Sequence, residues 1–387
     1  MRITVLTSLY PSPERPYEGV FAERRWVGMR DRGHAVGVVQ PLPWAPGWIG
    51  GRRGELARRP ATEQRAGIAI ERPRYLHVPK LARRNAQAFA RVGVRAILAG
   101  ERPDVVVADY AWPASAAVRT LAAHGLPCVV NGRGSDVLEV AGEAGLGAEL
   151  GANLAASAGW CAVSADLVAR MDELAGQPGR GVLVPNGVDT IAFRPADRGS
   201  ARRSLGLAPD GALVLVVGHL IPRKDPVLAL KTFLAGAPAD ARLVFLGRGP
   251  LEAEVAEHVE HDGANARVRL MGEVPPERLA EWYAASDALL LTSSREGRPN
   301  VVIEALAAGR PAVATAAGGT AEVLGALAER LLVASRDPAV IGARLGAVLR
   351  DPPTPTELRG LVEHLSWDAS LDALEGVLQA ARPEAVR

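Results

Sequence analysis

ALLLTSSREGRPNVVIEALAAGRPAVAT, residues 288–315, holds a strand, a loop, a helix and a second strand in one line of sequence. ALLLTSS is a continuous apolar run of the kind that a strand buried on both faces requires. The loop EGRPN follows, Asn300 is placed as an N-cap, and VVIEALAA then reads as a helix with Glu304 in about its first turn. Glu296 falls in the loop beyond the carboxyl end of the strand. An unpaired buried carboxylate costs several kcal/mol, so two acids with seven residues between them in such a setting need a reason. Singly, Glu304 would complement a helix dipole and Glu296 would be a solvated loop residue. Together they sit at the sheet edge where open α/β folds bind ligands.

The same grammar extends in both directions. ITVLTS, AVGVVQ, DVVVAD, PCVVNG, WCAVS and VLVP form one series of strand candidates with helical segments between most of them; LVLVVGH, RLVFLG, VRLMGE, ALLLTSS and PAVATA form another. Apolar strands separated by helices indicate parallel sheets covered on both faces, and two series imply two doubly wound domains. A chain of 387 residues has room for two, or three at most. The break is expected in the polar, proline-bearing stretch from Asp189 to Pro209, and Trp367 to Ala381 reads as one amphipathic helix. The first strand is followed by SLYPSPERP with no glycine before Gly19, and LGRGPLEAE has Glu252 where a third glycine would stand. The dinucleotide fingerprint is therefore missing, as is the P-loop.

VVGHLIPRKDP, residues 216–226, opens the second series. Arg223 and Lys224 are adjacent cations at a strand-to-helix junction, where a helix N-terminus already favours an anion such as a diphosphate. Only three of the 45 basic residues are lysine, namely Lys80, Lys224 and Lys231. A lysine kept where nearly every cation is arginine suggests a need for a compact point charge.

Hydrophobic content is 48% and net charge only +2. No run of about eighteen apolar residues occurs and the chain begins on a strand, so neither a signal peptide nor a membrane span is expected. Cys128 and Cys161 lie in apolar strands and read as buried thiols of a cytoplasmic protein. No CxxC or Cys/His cluster suggests a metal. Charge is uneven: residues 51–100 carry twelve Arg and Lys against three Glu, a balance of +9. PLPWAPGWIG just before them puts Trp44, Trp48 and Ile49 on one loop. Such a segment is either a solvated arginine-rich face or a contact for an anionic membrane or a phosphate-bearing acceptor. No nucleic-acid recognition motif accompanies it.

VPNGVD, GHLIPRKD, LGRGPL, GEVPPERLAEWYAASDALLLTSSREGRPNVVIEALAAGRPAVAT and AGGTAEVL, with TSLYPSPERPYEGVFAERR, RGHAVGVV and NGRGSDV upstream, resemble in order and spacing the retaining glycosyltransferases of family 4. Among these the chain looks closest to bacterial exopolysaccharide and teichuronic-acid type enzymes. The resemblance implies the α/β GT-B fold: two Rossmann-like domains facing across a cleft, residues 1–192 for the acceptor and 193–366 for the nucleotide sugar, with 367–387 crossing back to the N-terminal domain. It implies a nucleotide-diphosphate sugar donor, a saccharide or lipid-linked acceptor, and no metal or other cofactor. Glu296 matches the glutamate that contacts the donor sugar, Glu304 the one that binds ribose hydroxyls, and Lys224 the diphosphate lysine, with Arg223 beside it. Gly297, Arg298, Pro299 and Asn300 form the loop that cradles sugar and phosphate, although Pro299 has no N–H to give. Met271 and Gly272 border the base, and Gly19 allows close approach of phosphate or acceptor.

Two positions depart from the family pattern. Many members have arginine where His219 follows Gly218, and histidine where Arg133 stands. Arg133 is left between donor, phosphate and acceptor contact, and Asp136 between binding and helix capping. Gly33 reads as a helix C′ glycine, Asn186–Gly187 as a turn, and Gly318–Gly319 as a helix start able to face phosphates. An epimerase of the same fold and a non-catalytic sugar-nucleotide binding protein remain alternatives.

Overall fold

The computed structural model of the chain describes residues 1–382 except Tyr17, Gly47, Ile49 and Ala144, and gives Arg52 and Arg53 as backbone only. Ile49, expected beside the two tryptophans, thus lies outside the described residues. The chain forms two units, Met1–Asn186 joined by the segment from Trp367 onward, and Gly187–Ser366. The exchange falls at Asn186–Gly187, ahead of the 192/193 boundary expected from sequence. Val188 N–H already donates to Leu365 O at 2.8 Å, and Phe193 is buried edge-on to Tyr283 in the second core.

Among the described residues, ten strands build the first unit: β1 (Arg2–Thr7), β2 (Ala35–Val39), β3 (Leu42–Trp44), β4 (Thr62–Arg65), β5 (Ile68–Glu71), β6 (Arg74–Leu76), β7 (Val105–Asp109), β8 (Cys128–Gly132), β9 (Gly159–Ala162) and β10 (Val182–Leu183). Eight of them make one sheet in the order β10-β9-β8-β7-β1-β2-β5-β4, parallel except for the β4–β5 hairpin. Along β7, Val105 and Val107 pack into one apolar cluster while Val106 and Ala108 pack into another. Helices therefore cover both faces, which is why these strands read as unbroken apolar runs. Cys128 and Cys161 are buried free thiols, pushed up to about 12 and about 11 by that burial.

Strands β3 to β6 have no counterpart in the sequence reading, and Trp44 closes β3 rather than lying in a loop. TEQR and IAIE of β4 and β5 lack the apolar continuity of central strands, because they form an exposed edge. Their two-residue turn, Ala66–Gly67, has both residues at positive φ, as a tight hairpin needs.

The second unit holds β11 (Leu213–Val217), β12 (Arg242–Leu246), β13 (Val268–Leu270), β14 (Ala288–Leu291), β15 (Ala312–Thr315) and β16 (Leu332–Val333), all parallel, in the order β13-β12-β11-β14-β15-β16. That is the doubly wound order, and the direction of winding reverses between β11 and β14. In the first sheet the same reversal falls between β1 and β7. The helix Trp367–Ala380 belongs to the first unit, where it lies on the helix Val20–Asp31. A Cβ on Gly28 would come within 2.6 Å of Leu371 Cδ1, and Arg32 Nη1 meets Asp372 at 2.5 Å.

Candidate functional site

At the reversal point of the second sheet, two loops leave adjacent strands side by side. After β11, residues 218–225 lead to the helix Pro226–Gly236, capped by Asp225, whose carboxylate accepts from Leu228 N–H. After β14, residues 292–299 lead to the helix Asn300–Ala307. Thr292 Oγ1 donates to the carbonyls of Lys224 and Asp225 at 3.0 and 2.9 Å, and Ser294 N–H donates to Arg223 O at 2.8 Å. This lacing sets the side chains. Lys224 Nζ lies 2.5 Å from Glu296 Oε1, and Arg223 Nη1 lies 3.4 Å from Oε2. Burial pushes the Glu296 carboxyl up, but the Lys224 ammonium, and after it Ser293 and Arg223, bring it net below the ordinary carboxylate range. The acid is 7% exposed while Lys224 and Arg223 keep 19% and 30%, so the cations face outward from a buried anion.

A third loop closes on the second. Gly319 N–H donates to Gly297 O at 3.0 Å, and Gly318, at φ 48, lies so close that a Cβ would sit 1.9 Å from Glu296 O. Arg298 reaches Glu322 at 3.4 Å, and its burial lowers the guanidinium pKa. The helix cap falls at Pro299, one residue before the expected Asn300, so Asn300 opens the helix and Glu304 stands in its second turn. Val302 and Ile303 N–H fold back on Pro299 O; Asn300 and Val301 N–H have no acceptor within the helix, as at any helix start. Glu304 is buried and accepts from Tyr283 Oη at 3.1 Å. Burial and then Glu304 hold the Tyr283 phenol well above its usual range. Tyr283 is a partner that its helical context in the sequence did not disclose.

His219 is exposed on the loop after β11 beside Gly218, which has φ 129. Met271, 46% exposed, and Gly272 follow β13, where Gly272 O accepts from Gly247 N–H at 2.7 Å. Glu296, Lys224, Arg223, His219, Met271 and Gly272 thus all leave the carboxyl edge of one sheet.

The sequence candidates of the first unit form a different cluster. Asp109 ends β7, fully buried, and accepts from Arg133 Nε and Nη2 (2.7 and 2.9 Å), Asn131 Nδ2 (2.7 Å) and Trp26 Nε1 (2.8 Å). Burial raises its carboxyl, and Arg133 overrides this to leave it below the ordinary range. Arg133 Nη1 and Arg25 Nη2 both reach Asn186 Oδ1, at 3.3 and 3.1 Å. Asn186 is therefore a buried side-chain acceptor, and no turn forms at Asn186–Gly187, where the sequence suggested one. Arg25 is completely buried and falls to about 10. Asp136 accepts from the N–H groups of Ala111 (2.6 Å), Arg133 (3.0 Å) and Gly134 (2.7 Å), which makes it a backbone staple at the start of Ser135–Ala141. Burial pushes its carboxyl up to about 6 against those three donors. Gly19, φ 81, caps the helix Val20–Asp31 against Leu9 and Tyr10. Gly33, φ 87, is the expected C′ glycine. Sequence reasoning missed Asp109, Trp26 and Asn131; an acid ending a fully apolar strand, DVVVAD, was the available signal.

The first unit also holds a cavity of about 260 Å³ beyond the carboxyl ends of β1 and β2, lined among others by Gln40, Arg59, Tyr75 and His77. Among the described residues, no three His, Cys, Asp or Glu gather as a metal-binding group, and no helix is long and apolar enough to cross a membrane.

Two doubly wound sheets with charged loops at their reversal points define a ligand-binding α/β protein. Residues 27–191 match the model of Glycosyltransferase Family 4, and residues 197–360 that of Glycosyl transferases group 1. The chain is 28% identical to the putative teichuronic acid biosynthesis glycosyltransferase TuaC of Bacillus subtilis over 84% of itself and 83% of that protein. It is 36% identical to the D-inositol 3-phosphate glycosyltransferase of Acidothermus cellulolyticus, over 55% of itself and only 51% of that protein. It therefore spans about half the length of that relative. Sucrose-phosphate synthase from Thermosynechococcus elongatus superposes with a TM-score of 0.79 at 20% identity, covering 98% of both chains. Anabaena HepE in complex with UDP superposes at 0.75 and 16% identity, covering 98% of this chain and all of that one. The chain belongs to the GT-B glycosyltransferases of family 4 type.

Proposed function

We propose that this protein transfers a glycosyl group, with retention of configuration and without a metal ion, from a nucleoside-diphosphate sugar to a hydroxyl of a saccharide or lipid-linked acceptor. The second unit takes the donor and the first the acceptor. The observation that carries the reading is the pairing of Lys224 and Arg223 with buried Glu296 at the sheet reversal point, beside the start of Asn300–Ala307. Two cations against one acid leave a net positive charge facing outward, which suits a diphosphate whose charge grows as it departs. Glu296 is placed for the sugar, Glu304 for the ribose and the loop at Met271–Gly272 for the base; Gly218, His219, Gly297, Arg298 and Asn300 line the phosphates. Arg133 and Asp136 act by shaping the loop after β8, since their polar atoms are engaged within the unit.

In the proposed reaction the bond from the anomeric carbon to the diphosphate oxygen breaks through an oxocarbenium-like transition state. The acceptor oxygen bonds to the same face of that carbon, and its proton passes to the leaving phosphate. Work at a cytoplasmic, anionic membrane surface belongs to this reading. The structural likeness to HepE, solved with UDP-glucose, supports UDP-glucose as the first donor to try. Lys224→Ala should lower transfer by about 10²–10³ while the protein stays folded by circular dichroism. Turnover equal to the parent's would remove Lys224 from the mechanism, and conversion of donor without acceptor would replace transfer by epimerisation.

A further inference from the structure

Strands β3 and β6 pair outside the main sheet, with Trp44 and Leu76 as register partners. Their side chains are 55% and 66% exposed, and Trp48, Val78 and Leu81 nearby are 84%, 40% and 37% exposed. Five large apolar side chains within 38 residues face water, although a folded chain gains by hiding them. The projection is built: Asn85 clamps the loop by accepting from Val78 N–H at 2.9 Å and donating to Val78 O at 2.7 Å. Alternation along this segment turns Tyr75 and His77 toward the cavity and leaves Leu76 and Val78 outside.

The helix Ala82–Ala99 continues from this projection. Its inner face, with Phe89, Val94 and Ile97, is buried. Its outer face carries Arg84, Arg91 and Arg95, exposed and spaced by seven and four, hence in one line of roughly 16 Å. The helix contains no acid at all, and Lys80 stands exposed just before it. Arg83 pairs with Glu149 at 2.7 Å, whereas no carboxylate among the described residues pairs with Lys80, Arg84, Arg91 or Arg95. Solvated helix faces ordinarily mix both signs, so this face is complementary to a surface of fixed negative charge.

We propose that Trp44, Trp48, Leu76, Val78 and Leu81 dock into an anionic lipid bilayer, with Lys80, Arg84, Arg91 and Arg95 against its headgroups. Indoles and leucines enter the interface while long basic side chains hold the phosphates. The surface deepens the membrane-linked acceptor reading above and rests on it only for its purpose, because the binding is measurable without donor. It would bring the cavity behind β3 and β6 to the bilayer.

The full chain should sediment with phosphatidylglycerol vesicles at low salt, show a blue shift of tryptophan emission, and be released at about 1 M salt, where screening is complete within roughly 3 Å. Phosphatidylcholine vesicles should leave it in solution. Trp44→Ser, Trp48→Ser and Leu76→Ser together should abolish most of the blue shift. Arg84→Gln, Arg91→Gln and Arg95→Gln together should weaken binding about a hundredfold, given about 1 kcal/mol per basic residue near such a surface. Equal sedimentation with both lipids, or parental binding by both variants, overturns the proposal. Transfer to a soluble acceptor tests the glycosyltransferase reading separately: vesicle binding with no transfer from any sugar nucleotide would leave the docking surface standing and that reading without support.

Discussion

Each of the two sheets places an acid and an arginine or lysine at its carboxyl edge, yet the two pairs are built for opposite ends. Asp109 accepts from Arg133, Asn131 and Trp26; Asp109, Asn131 and Trp26 are fully buried and the Arg133 side chain is only 7% exposed. Glu296 is equally buried, but its partners reach it from the solvent side, with Lys224 and Arg223 partly exposed. A pair saturated by neutral donors in a closed interior can only hold structure. A pair whose cations keep open flanks holds structure and still has charge to offer a ligand. The difference lies in what surrounds the ions, since the chemical types are nearly the same.

That comparison breaks if the two pairs respond alike to truncation. Asp109→Ala leaves Arg133 and Arg25 buried without the carboxylate that Arg133 pairs with, and removing one partner of such a pair costs about 3–5 kcal/mol. Urea unfolding should show a loss of that order, or no folded protein at all. Lys224→Ala should unfold at a urea concentration much nearer the parent's, its large effect being on transfer. A loss of stability at Lys224 matching that at Asp109 would mean that the second pair is a structural staple too.

The contrast also marks what could be read from the chain. Apolar runs such as DVVVAD and ALLLTSS announce buried strands, and their alternation with helices announces the two sheets. Which strands neighbour one another is a matter of tertiary packing, so the reversal points that gather Lys224 with Glu296 became visible only in the fold. Strands β4 and β5 escaped because TEQR and IAIE at an edge are half polar and mimic a solvated arginine-rich segment. Arg133 was legible as important but not as engaged: its partner Asp109 lies 24 residues upstream, on the neighbouring strand. Asn300 looked like a cap because its side chain suits one, whereas Pro299, with no N–H to satisfy, ends the loop equally well.

Acid sharpens the comparison. Glu296 and Asp109 both have their carboxyls below the ordinary range when folded. A depressed acid contributes stability that is complete above its unfolded value, near 4, and is lost as pH falls through the folded value. Stability should therefore decline below about pH 4.5. Asp136, pushed up to about 6, works in the other direction and takes up its proton earlier. In Lys224→Ala the largest influence opposing the burial of Glu296 is gone and only Ser293 and Arg223 still oppose it, so its carboxyl rises and the acid-induced decline should be shallower than the parent's. Urea midpoints measured from pH 3 to 7 decide it; parallel curves for the two proteins would show that Lys224 does not hold Glu296 ionised.

The smallest expected effect lies at Glu304, where the second unit has a polar contact as enclosed as those around Asp109. Tyr283 Oη donates to Glu304 at 3.1 Å and lies 3.3 Å from Val301 O, while its ring packs edge-on to Phe193 at 5.8 Å. Tyr283→Phe keeps the ring and removes one donor from a buried carboxylate, at a cost of about 1–3 kcal/mol. If Glu304 accepts ribose hydroxyls, part of that loss returns when donor binds, because the hydroxyls satisfy the freed oxygen. The variant should then lose stability in the absence of donor and show a larger thermal shift than the parent when saturated with sugar nucleotide. Equal shifts would place Glu304 with Asp109, as an acid that holds the fold and touches no ligand.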